Sequence, residues 1–455
     1  MRGGTCKDGN PAIFPQGLPA RMQDRTLVLI LSNASGLYLK RKESSMSDRP
    51  PSIEGRGSWI AASVTLAILS ISYGAPLLIV VGLKPVQEAL GTDRSVIALA
   101  GSLVWVGTGF GGIPMGWLAD RIGIRAIVAF GAAMMALGLW VSTWGGTLAL
   151  YVGHGLLIGL LGNGAIYAPL LIYVSRWFDR RRGTAIALIS SGQYIAGVVW
   201  PALFEHGIAT YGWQVALLAY AGVVLVAIPP FLPLLRPAPE PLAVPVLAEG
   251  ARAPAVLGMR PAVVQWMICA AAFCCCIPMA IPNSHLVAFC TDAGISPVHG
   301  AAMLSVLLGC AFVSRQFWGA MGDRIGGLRT VLYGSACQAV AIGAFLLTQN
   351  ELGLFLIAGL YGLGFSGIIP SYAVAIRDLF PSAEASWRIP CVLFTGMSGM
   401  GVGSWFGGVL YDHFGTYTPA FATGVLFSLV NLAIVGLLVS RLPRRDRSSA
   451  ITAPA

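Results

Sequence analysis

One arginine lies inside an otherwise apolar stretch of the sequence, and it is the first residue with clear chemical potential. Arg315 falls within residues 298–320, a stretch long enough to cross a bilayer as a helix. A charge at the centre of such a helix costs roughly 2.5–3.5 kcal/mol on insertion scales, so it generally faces a cavity or a partner. Because guanidinium is a planar fork that matches a carboxylate, the position favours anion binding. The alternative is that Arg315 snorkels to the nearby end of its segment.

Polar residues in neighbouring apolar segments are candidates to complete this site. Asn163 and Tyr167 are four residues apart and therefore share one face of a helix. His285 follows the sequence Ile-Pro-Asn-Ser, which includes Asn283 and predicts a break in the helix like those that line membrane binding sites. Histidine titrates near neutral pH, so His285 is also the candidate proton carrier. Gln193 is a further candidate, and each of these residues is equally compatible with helix-to-helix hydrogen bonding.

The elements that must position these residues are membrane-spanning helices. Of the 455 residues, 56% are hydrophobic and only 11% are charged, whereas soluble domains carry about 25% charged residues. This composition excludes an ordinary soluble enzyme, a nucleic-acid-binding protein and a disordered chain. The apolar runs are too long for barrel strands, so helices must satisfy the backbone. The twelve predicted spans are 58–82, 95–117, 124–144, 148–175, 184–206, 213–235, 262–290, 298–320, 328–348, 352–379, 387–411 and 417–441.

These spans predict an all-α membrane protein built from two six-helix bundles. The predicted divisions are an N-terminal cytoplasmic tail 1–57, a first bundle 58–235, a linker 236–261, a second bundle 262–441 and a C-terminal tail 442–455. The linker is polar and proline-rich. The first residues fit the rest poorly, so an alternative is that Met46 is the natural start.

The basic residues predict how the spans are oriented. The net charge is +10, and 26 of the 29 Lys and Arg residues fall on the side that holds both termini and the linker. Basic residues concentrate on the cytoplasmic side of membrane proteins, so both termini are expected in the cytoplasm. Only Lys84 and Arg94 lie on the outer side, and Arg315 lies within a span. The excess charge therefore reflects topology and does not indicate a nucleic-acid partner.

The sequence predicts neither a metal site nor a cofactor. Eight of the nine cysteines lie in the second half, and the consecutive Cys274, Cys275 and Cys276 point in three directions around a helix. This is not the spacing of metal ligands or of a disulfide framework. No segment resembles a nucleotide-binding loop, and the five histidines are dispersed. Catalytic residues are therefore not expected, which argues against a lipid-modifying enzyme.

A short signature occurs once in each half, over ten residues in the first half and eleven in the second. It reads Gly116-Trp-Leu-Ala-Asp120-Arg121-Ile-Gly123-Ile-Arg125 after the second span and Gly319-Ala-Met-Gly-Asp323-Arg324-Ile-Gly326-Gly-Leu-Arg329 after the eighth. Such duplication marks a transporter built from two related bundles. The doubled signature across twelve helices resembles the major facilitator superfamily over residues 58–441. The resemblance implies rocker-switch transport, with Gly116, Asp120, Arg121 and Arg125, and more weakly Asp323, Arg324 and Arg329, latching the cytoplasmic ends in the outward-open state.

Four shorter stretches resemble the monocarboxylate porter and oxalate–formate exchanger branch. They begin at Ser175, Arg315, Tyr361 and Gly408. In that branch an arginine of the eighth helix binds the substrate carboxylate, and the resemblance assigns this role to Arg315.

The chain also departs from the branch. Ala311 stands where the eukaryotic transporters have an aspartate, Leu77 stands where they have a lysine, and no lysine follows Lys84. With one intramembrane cation instead of two, a dianion such as oxalate would be poorly neutralised, so a monocarboxylate is the better expectation.

The predicted function is therefore secondary transport of a small organic anion, with a proton or a counter-anion as the coupled partner. The chain is expected to work as a monomer in a bacterial-type plasma membrane. Two alternatives remain open at this stage. One is an exporter of drugs or other metabolites, in which Arg315 would be structural and the cavity mostly aromatic. The other, from a different class, is a membrane receptor that binds its ligand without moving it.

Overall fold

The computed structural model describes residues 54–178, 181–237 and 256–442, and these residues are overwhelmingly helical. Within these ranges, eleven helical segments are long and apolar enough to cross a membrane. They are Arg56–Val81, Arg94–Ile122, Ile124–Ser142, Thr147–Ser175, Gly183–Tyr211, Trp213–Leu234, Pro261–Asp292, Pro297–Ile325, Glu351–Leu379, Trp387–Phe414 and Thr418–Ser440. All eleven coincide with predicted spans, and their ends mostly differ from the prediction by a few residues.

The remaining predicted span, 328–348, corresponds to the helix Gly327–Ala344, which has 18 residues. Polar side chains such as Arg329 and Gln338 lower its apolar character. It packs against Glu351–Phe365, Ile368–Leu379 and Thr418–Ser440, so it occupies the place of the ninth span within the second group of six.

Several spans contain local breaks. The first is divided into Arg56–Ser72 and Gly74–Val81, and Leu83–Leu90 follows as a short amphipathic helix. The fourth contains a π-helical stretch, Val152–Asn163, between Thr147–Tyr151 and Gly164–Ser175. The fifth consists of Arg182–Ser190 and Gly192–Tyr211, and the sixth of Trp213–Ala227 and the 3₁₀ turn Pro229–Leu234. The tenth consists of Glu351–Phe365 and Ile368–Leu379, and the eleventh helix is Ser382–Phe414.

The repeated signature forms the same turn in both halves. Gly123 has φ +90° and Gly326 has φ +87°, and each separates two spans. A side chain is strained at such angles, which explains why both copies carry glycine there. The duplication seen in the sequence is therefore a duplication of backbone geometry.

The two groups of six helices meet along three helix pairs. The second span packs along Ser382–Phe414, the fifth packs on Pro297–Ile325, and the first contacts Pro261–Asp292. Glycine permits these close approaches: a Cβ at Gly408 would lie 2.8 Å from Ser95 Cα, and one at Gly197 would collide with the Leu308 side chain. Every one of these pairs joins one half to the other, so a space between them is bounded by both halves.

We name the two ends of this arrangement by the loops they carry. The linker side holds the turns at Gly123 and Gly326 and the ends of the linker, and the far side holds the turns after Leu90, Ser142 and Asp292. The sequence predicts that the linker side is cytoplasmic. Residues 1–53 of the predicted N-terminal tail, 238–255 of the linker and 443–455 of the C-terminal tail lie outside the described residues.

One local prediction was wrong. The Ile-Pro-Asn-Ser sequence was expected to break the seventh helix, yet Pro261–Asp292 is one continuous helix of 32 residues that contains Pro278 and Pro282. Membrane helices tolerate proline where neighbouring groups satisfy the freed carbonyls. Pro282 removes the N–H that would bond to the carbonyl of Pro278, and here Tyr361 Oη donates to that carbonyl at 3.2 Å.

Candidate functional site

A cavity of about 140 Å³ lies between the two halves, near the middle of the spans. A water needs roughly 10–15 Å³ of such space, so the cavity has room for a small organic molecule. The first half contributes Tyr73, Pro76, Leu77, Val80, Gly101, Trp105, Tyr167, Gln193 and Tyr194. The second half contributes Cys276, Met279, Asn283, Ser284, Leu308, Arg315, Phe365, Ser366, Ile369, Leu393, Gly396, Met397 and Met400. The cavity therefore depends on both halves at once.

Arg315 is the one charged residue among these lining residues, and it joins the halves. Its guanidinium donates from Nη1 to Ser190 Oγ at 2.9 Å and from Nη2 to Tyr194 Oη at 3.3 Å, both in the fifth span. Its Nε donates to the carbonyl of Ser366 at 3.3 Å in its own half. The side chain is only 5% exposed, and its helix continues to Ile325. This geometry directs Arg315 into the cavity and leaves the end of the segment out of its reach.

Aromatic rings form much of the cavity wall beside Arg315. The Tyr194 ring lies 4.7 Å from the guanidinium carbon, and the Phe365 ring meets Tyr194 edge-on at 6.1 Å. Elsewhere in the lining, the ring centroid of Tyr73 lies 5.7 Å from that of Tyr167 and 6.4 Å from that of Trp105. A cation over a ring face is attracted by the ring quadrupole, so Tyr194 holds the guanidinium by its face as well as its hydroxyl.

The polar candidates predicted from sequence divide into two groups. Tyr167, Gln193 and Asn283 line the cavity together with Arg315. Asn163 is buried in the π-helical stretch away from the lining, and its Oδ1 has no partner among the described residues. His285 is also absent from the lining.

His285 is completely buried between helices of the second half. Its Nε2 is 2.7 Å from the carbonyl of Ser404, and its Nδ1 is 3.0 Å from Tyr417 Oη. Both ring nitrogens are therefore engaged. The contact with Tyr417 connects His285 to a charged cluster at the far side.

That cluster is centred on Arg94, the first residue of the second span. Arg94 is 3% exposed, forms an ion pair with Asp292 and lies over the Tyr411 ring at 3.8 Å. It also donates to Tyr417 Oη at 3.2 Å and to Gln87 Oε1 at 3.0 Å. Since Asp292, Tyr411 and Tyr417 belong to the second half, Arg94 joins the two halves at the far side.

Two further contacts strengthen this far-side cluster. The carboxylate of Asp412 accepts the backbone N–H groups of Arg94 and Ser95, each at 2.8 Å. Lys84 Nζ lies 3.3 Å from Asp292 Oδ1 and is 30% exposed. We define the far-side cluster as Lys84, Arg94, Asp292, Asp412 and Tyr417.

On the linker side, the first copy of the repeated signature makes contacts within its own half. Asp120 accepts from Arg176 Nη2 at 2.6 Å, and both side chains are partly exposed. Arg125 donates to the carbonyls of Leu235 at 2.7 Å and Pro233 at 3.0 Å. Arg121 lies over the Trp117 ring at 3.6 Å. A Cβ at Gly116 would lie 3.4 Å from Ile172 Cδ1, an ordinary contact, so the packing of the second span on the fourth does not itself require this glycine.

The second copy lies at the equivalent turn. Asp323 and Arg324 are exposed and Arg329 is half-buried. Asp378 accepts the backbone N–H of Gly327 at 2.8 Å, which fixes the turn that separates the eighth and ninth helices. Among the described residues, no group of three or more His, Cys, Asp or Glu side chains could hold a metal ion.

The far-side cluster is the part of the site that sequence reasoning missed. Arg94 and Lys84 were counted only as marks of orientation, and Asp292 follows its span as an ordinary terminal charge. One signal was present, because Asp412 lies in the stretch that begins at Gly408 and resembles a transporter branch. Its partner, however, is 318 residues away in sequence.

Comparisons with known proteins agree with this architecture. The family model described as Major Facilitator Superfamily matches residues 59–359 and again residues 268–454. Monocarboxylate transporter 11 of Homo sapiens is 29% identical over 428 residues, which cover 89% of this chain and 80% of that protein. Monocarboxylate transporter 13 of Bos taurus is 27% identical, with coverage of 71% and 76%. An uncharacterized MFS-type transporter of Bacillus subtilis is 24% identical, with coverage of 79% and 90%.

Solved structures show the same fold at low sequence identity. A bacterial homologue of the human lysosomal transporter Spinster, inward-facing and unoccupied, superimposes with a TM-score of 0.69 at 12% identity over 85% of this chain and 98% of that one. The peptide transporter POT in complex with alafosfalin gives a TM-score of 0.64 at 16% identity, with coverage of 85% and 95%. The predicted all-α fold of two six-helix bundles is confirmed.

Proposed function

Because the chain belongs to the Major Facilitator Superfamily, we propose that it is a secondary transporter of a small organic monocarboxylate. The observation that carries this proposal is Arg315, a 5% exposed guanidinium that lines a cavity between the two halves. A buried charge without a counter-ion is costly, and the described residues give Arg315 hydroxyl and carbonyl partners but no carboxylate. A substrate carboxylate supplies that missing charge.

Alternating access follows from the contacts at the two ends. The far-side cluster joins the halves, and the ion pairs Arg176–Asp120 and Arg388–Glu384 on the linker side each join residues of one half. We assign the linker side to the cytoplasm, as its basic residues favour, so the conformation is closed to the outside. Substrate binding at Arg315 draws on both halves. Rocking then separates Arg94 from Asp292 and brings the linker-side ends together, where Asp120, Arg121 and Arg125 latch.

The test is counterflow in proteoliposomes with labelled pyruvate, lactate, formate and oxalate. We expect monocarboxylates to exchange and Arg315→Gln to abolish the exchange, whereas the exposed Arg377→Gln serves as the matched control and retains it. Arg315→Lys keeps the charge and loses the fork, so it should bind more weakly. Wild-type uptake by Arg315→Gln, at equal reconstitution and with a monodisperse gel-filtration profile, would refute the proposal. Saturable binding without any counterflow would instead indicate a receptor.

The coupled partner is a proton or a counter-anion. An imposed pH gradient across the same vesicles separates these modes, because symport accelerates with an inward proton gradient and strict exchange requires anion on the opposite side. His285 is the proton candidate, and its contact with Tyr417 links it to the far-side cluster. His285→Gln should abolish the response to a pH gradient while leaving anion exchange intact if it carries the proton.

A second candidate, export of amphipathic compounds, is favoured by a different feature of the same cavity. Most of the lining is aromatic or aliphatic, including Tyr73, Trp105, Phe365 and Met397. In that case Arg315 is structural and Arg315→Gln leaves transport of a neutral or cationic dye unchanged. The two candidates thus make opposite predictions for one variant.

A further inference from the structure

The apolar wall of the cavity and its single cation together define a narrower substrate class than a simple monocarboxylate. We propose that the substrate is a monocarboxylate with an aryl or branched-chain body and no ammonium group. This inference rests on the transport function proposed above. It unites the two features that otherwise favour competing functions, the buried arginine and the aromatic wall.

The carboxylate end of the substrate is set by the unused donors of Arg315. A guanidinium carries five N–H donors, and described residues engage three of them, through Ser190, Tyr194 and the Ser366 carbonyl. The remaining two lie on the terminal nitrogens Nη1 and Nη2. The free N–H of each terminal nitrogen can donate to one oxygen of a carboxylate.

The charge of the cavity limits the rest of the substrate. Arg315 is the one charged side chain among the lining residues, and that lining contains no Asp or Glu. A monoanion neutralises the site. A dianion leaves one negative charge uncompensated in a low-dielectric space, and the ammonium of an amino acid finds no carboxylate, so both are disfavoured.

The body of the substrate faces rings on one half and thioethers on the other. Tyr73, Trp105 and Tyr167 come from the first half, and Met279, Met397 and Met400 come from the second. Aromatic rings bind apolar groups edge-on or offset, and methionine adapts to irregular shapes. Pyruvate or lactate would leave this wall without a partner, whereas a phenyl or isopropyl group would cover it.

Asn283 and Gln193 provide limited polar contact beyond the carboxylate. Asn283 uses its Nδ2 on the carbonyl of Met279 at 2.6 Å, so its oxygen remains an acceptor. Gln193 lines the cavity from the first half and has both a donor and an acceptor. A 2-oxo or 2-hydroxy group next to the carboxylate is the polar feature that these amides can bind.

The experiment compares five probes for inhibition of counterflow by the full-length protein in proteoliposomes. The probes are pyruvate, 3-methyl-2-oxobutanoate, phenylpyruvate, phenylalanine and phenylsuccinate. Burial of an extra phenyl or branched group should lower the half-inhibiting concentration by about tenfold to a hundredfold relative to pyruvate. Phenylalanine and phenylsuccinate should inhibit no better than pyruvate. Equal potency of pyruvate and phenylpyruvate, or strong inhibition by phenylalanine, overturns the inference.

A variant pair locates the effect in the cavity. Trp105→Ala should raise the half-inhibiting concentration of phenylpyruvate by about tenfold and change that of pyruvate by no more than about twofold, because only the apolar contact is removed. Trp266→Ala is the matched control, since that indole is 70% exposed at the surface of the seventh span. Trp105→Phe retains a ring and should restore most of the affinity, which guards against misfolding of the alanine variant. If Trp105→Ala and Trp105→Phe both lose inhibition by phenylpyruvate and by pyruvate to the same extent, Trp105 has no role in specificity.

The outcome also separates this inference from the function on which it rests. If pyruvate is exchanged in an Arg315-dependent manner and aryl acids have no advantage, the transport function stands and the substrate class is wrong. If no monocarboxylate inhibits and a neutral dye moves independently of Arg315, the proposed function itself fails and the inference fails with it.

Discussion

The two ends of the molecule hold their charges in different ways. At the far side, Arg94 is 3% exposed and pairs with Asp292 across the interface between the halves. At the linker side, Arg176 and Asp120 are 30% and 53% exposed and belong to the same half. Buried pairs broken at one partner cost about 3–5 kcal/mol, whereas exposed pairs contribute about 0–1 kcal/mol. The far-side contacts therefore hold this conformation closed. The linker-side pairs, including the one made by the buried Arg388, each lie within one half and leave that side free to open.

The largest effect is expected from Arg94→Gln. Removing the buried charge should destabilise far-side closure by about 3 kcal/mol, the low end for a buried pair because Asp292 keeps Lys84 as a partner. The measurement is the distance between spin labels at Leu148 and Leu352, which are 74% and 82% exposed on the far-side ends of opposite halves. A longer-distance population should become dominant in a cysteine-free background.

Lys84→Gln is the matched control for Arg94→Gln, because it removes the other cation bound to Asp292. Lys84 is 30% exposed, so its loss should cost about 1 kcal/mol or less. Equal distance distributions for the two variants would show that burial does not distinguish the two cations.

Gly408→Val should open the same interface by crowding. Its Cβ would lie 2.8 Å from the Cα of Ser95 on the other half, and overpacking of this kind costs about 1–3 kcal/mol. Gly436→Val is the control, because a Cβ at Gly436 meets nothing within 4 Å. The label distance should increase in the first variant only, and an unchanged distance would mean that the helices can shift without separating.

Tyr417→Phe should have an intermediate effect. The hydroxyl accepts from Arg94 at 3.2 Å and contacts His285 at 3.0 Å, and loss of one such hydroxyl costs about 1 kcal/mol. Tyr333→Phe, at a 51% exposed position, is the control. A wild-type distance distribution for Tyr417→Phe would place this hydroxyl outside the closing contacts.

Asp120→Asn should produce the smallest change in unfolding stability. Its effect on conformation should be opposite to that of Arg94→Gln. Its pair with Arg176 is exposed, so unfolding stability in detergent should change by about 1 kcal/mol or less. If Asp120 latches the other conformation, its loss should shift the label distances of the Arg94→Gln variant back toward the closed form. A further increase in distance in the double variant would contradict that gating role.

The sequence predicts features that depend on neighbouring residues better than features that depend on residues far apart in the chain. Spans such as Arg94–Ile122 and Pro261–Asp292 were predictable because hydropathy acts over a local window. Arg315 was a candidate because a charge inside an apolar segment is anomalous by itself. Arg94 was not, since a charge at the end of a span is ordinary until its partner is known, and Asp292 lies 198 residues away. The break predicted at Pro282 was wrong because a tyrosine distant in sequence, Tyr361, donates to the Pro278 carbonyl that this proline leaves free.

The contact of Asp412 with the second span has a consequence for how opening can be detected. Asp93 occupies the N-cap position of Arg94–Ile122 but makes no side-chain cap hydrogen bond. Asp412 of the other half accepts the first backbone N–H groups in its place. The helix is thus capped by a residue of the opposite half. When the halves separate, these N–H groups must lose their acceptor or bond to Asp93 instead. Amide hydrogen exchange at Arg94 and Ser95 is therefore a probe of far-side opening that needs no attached label.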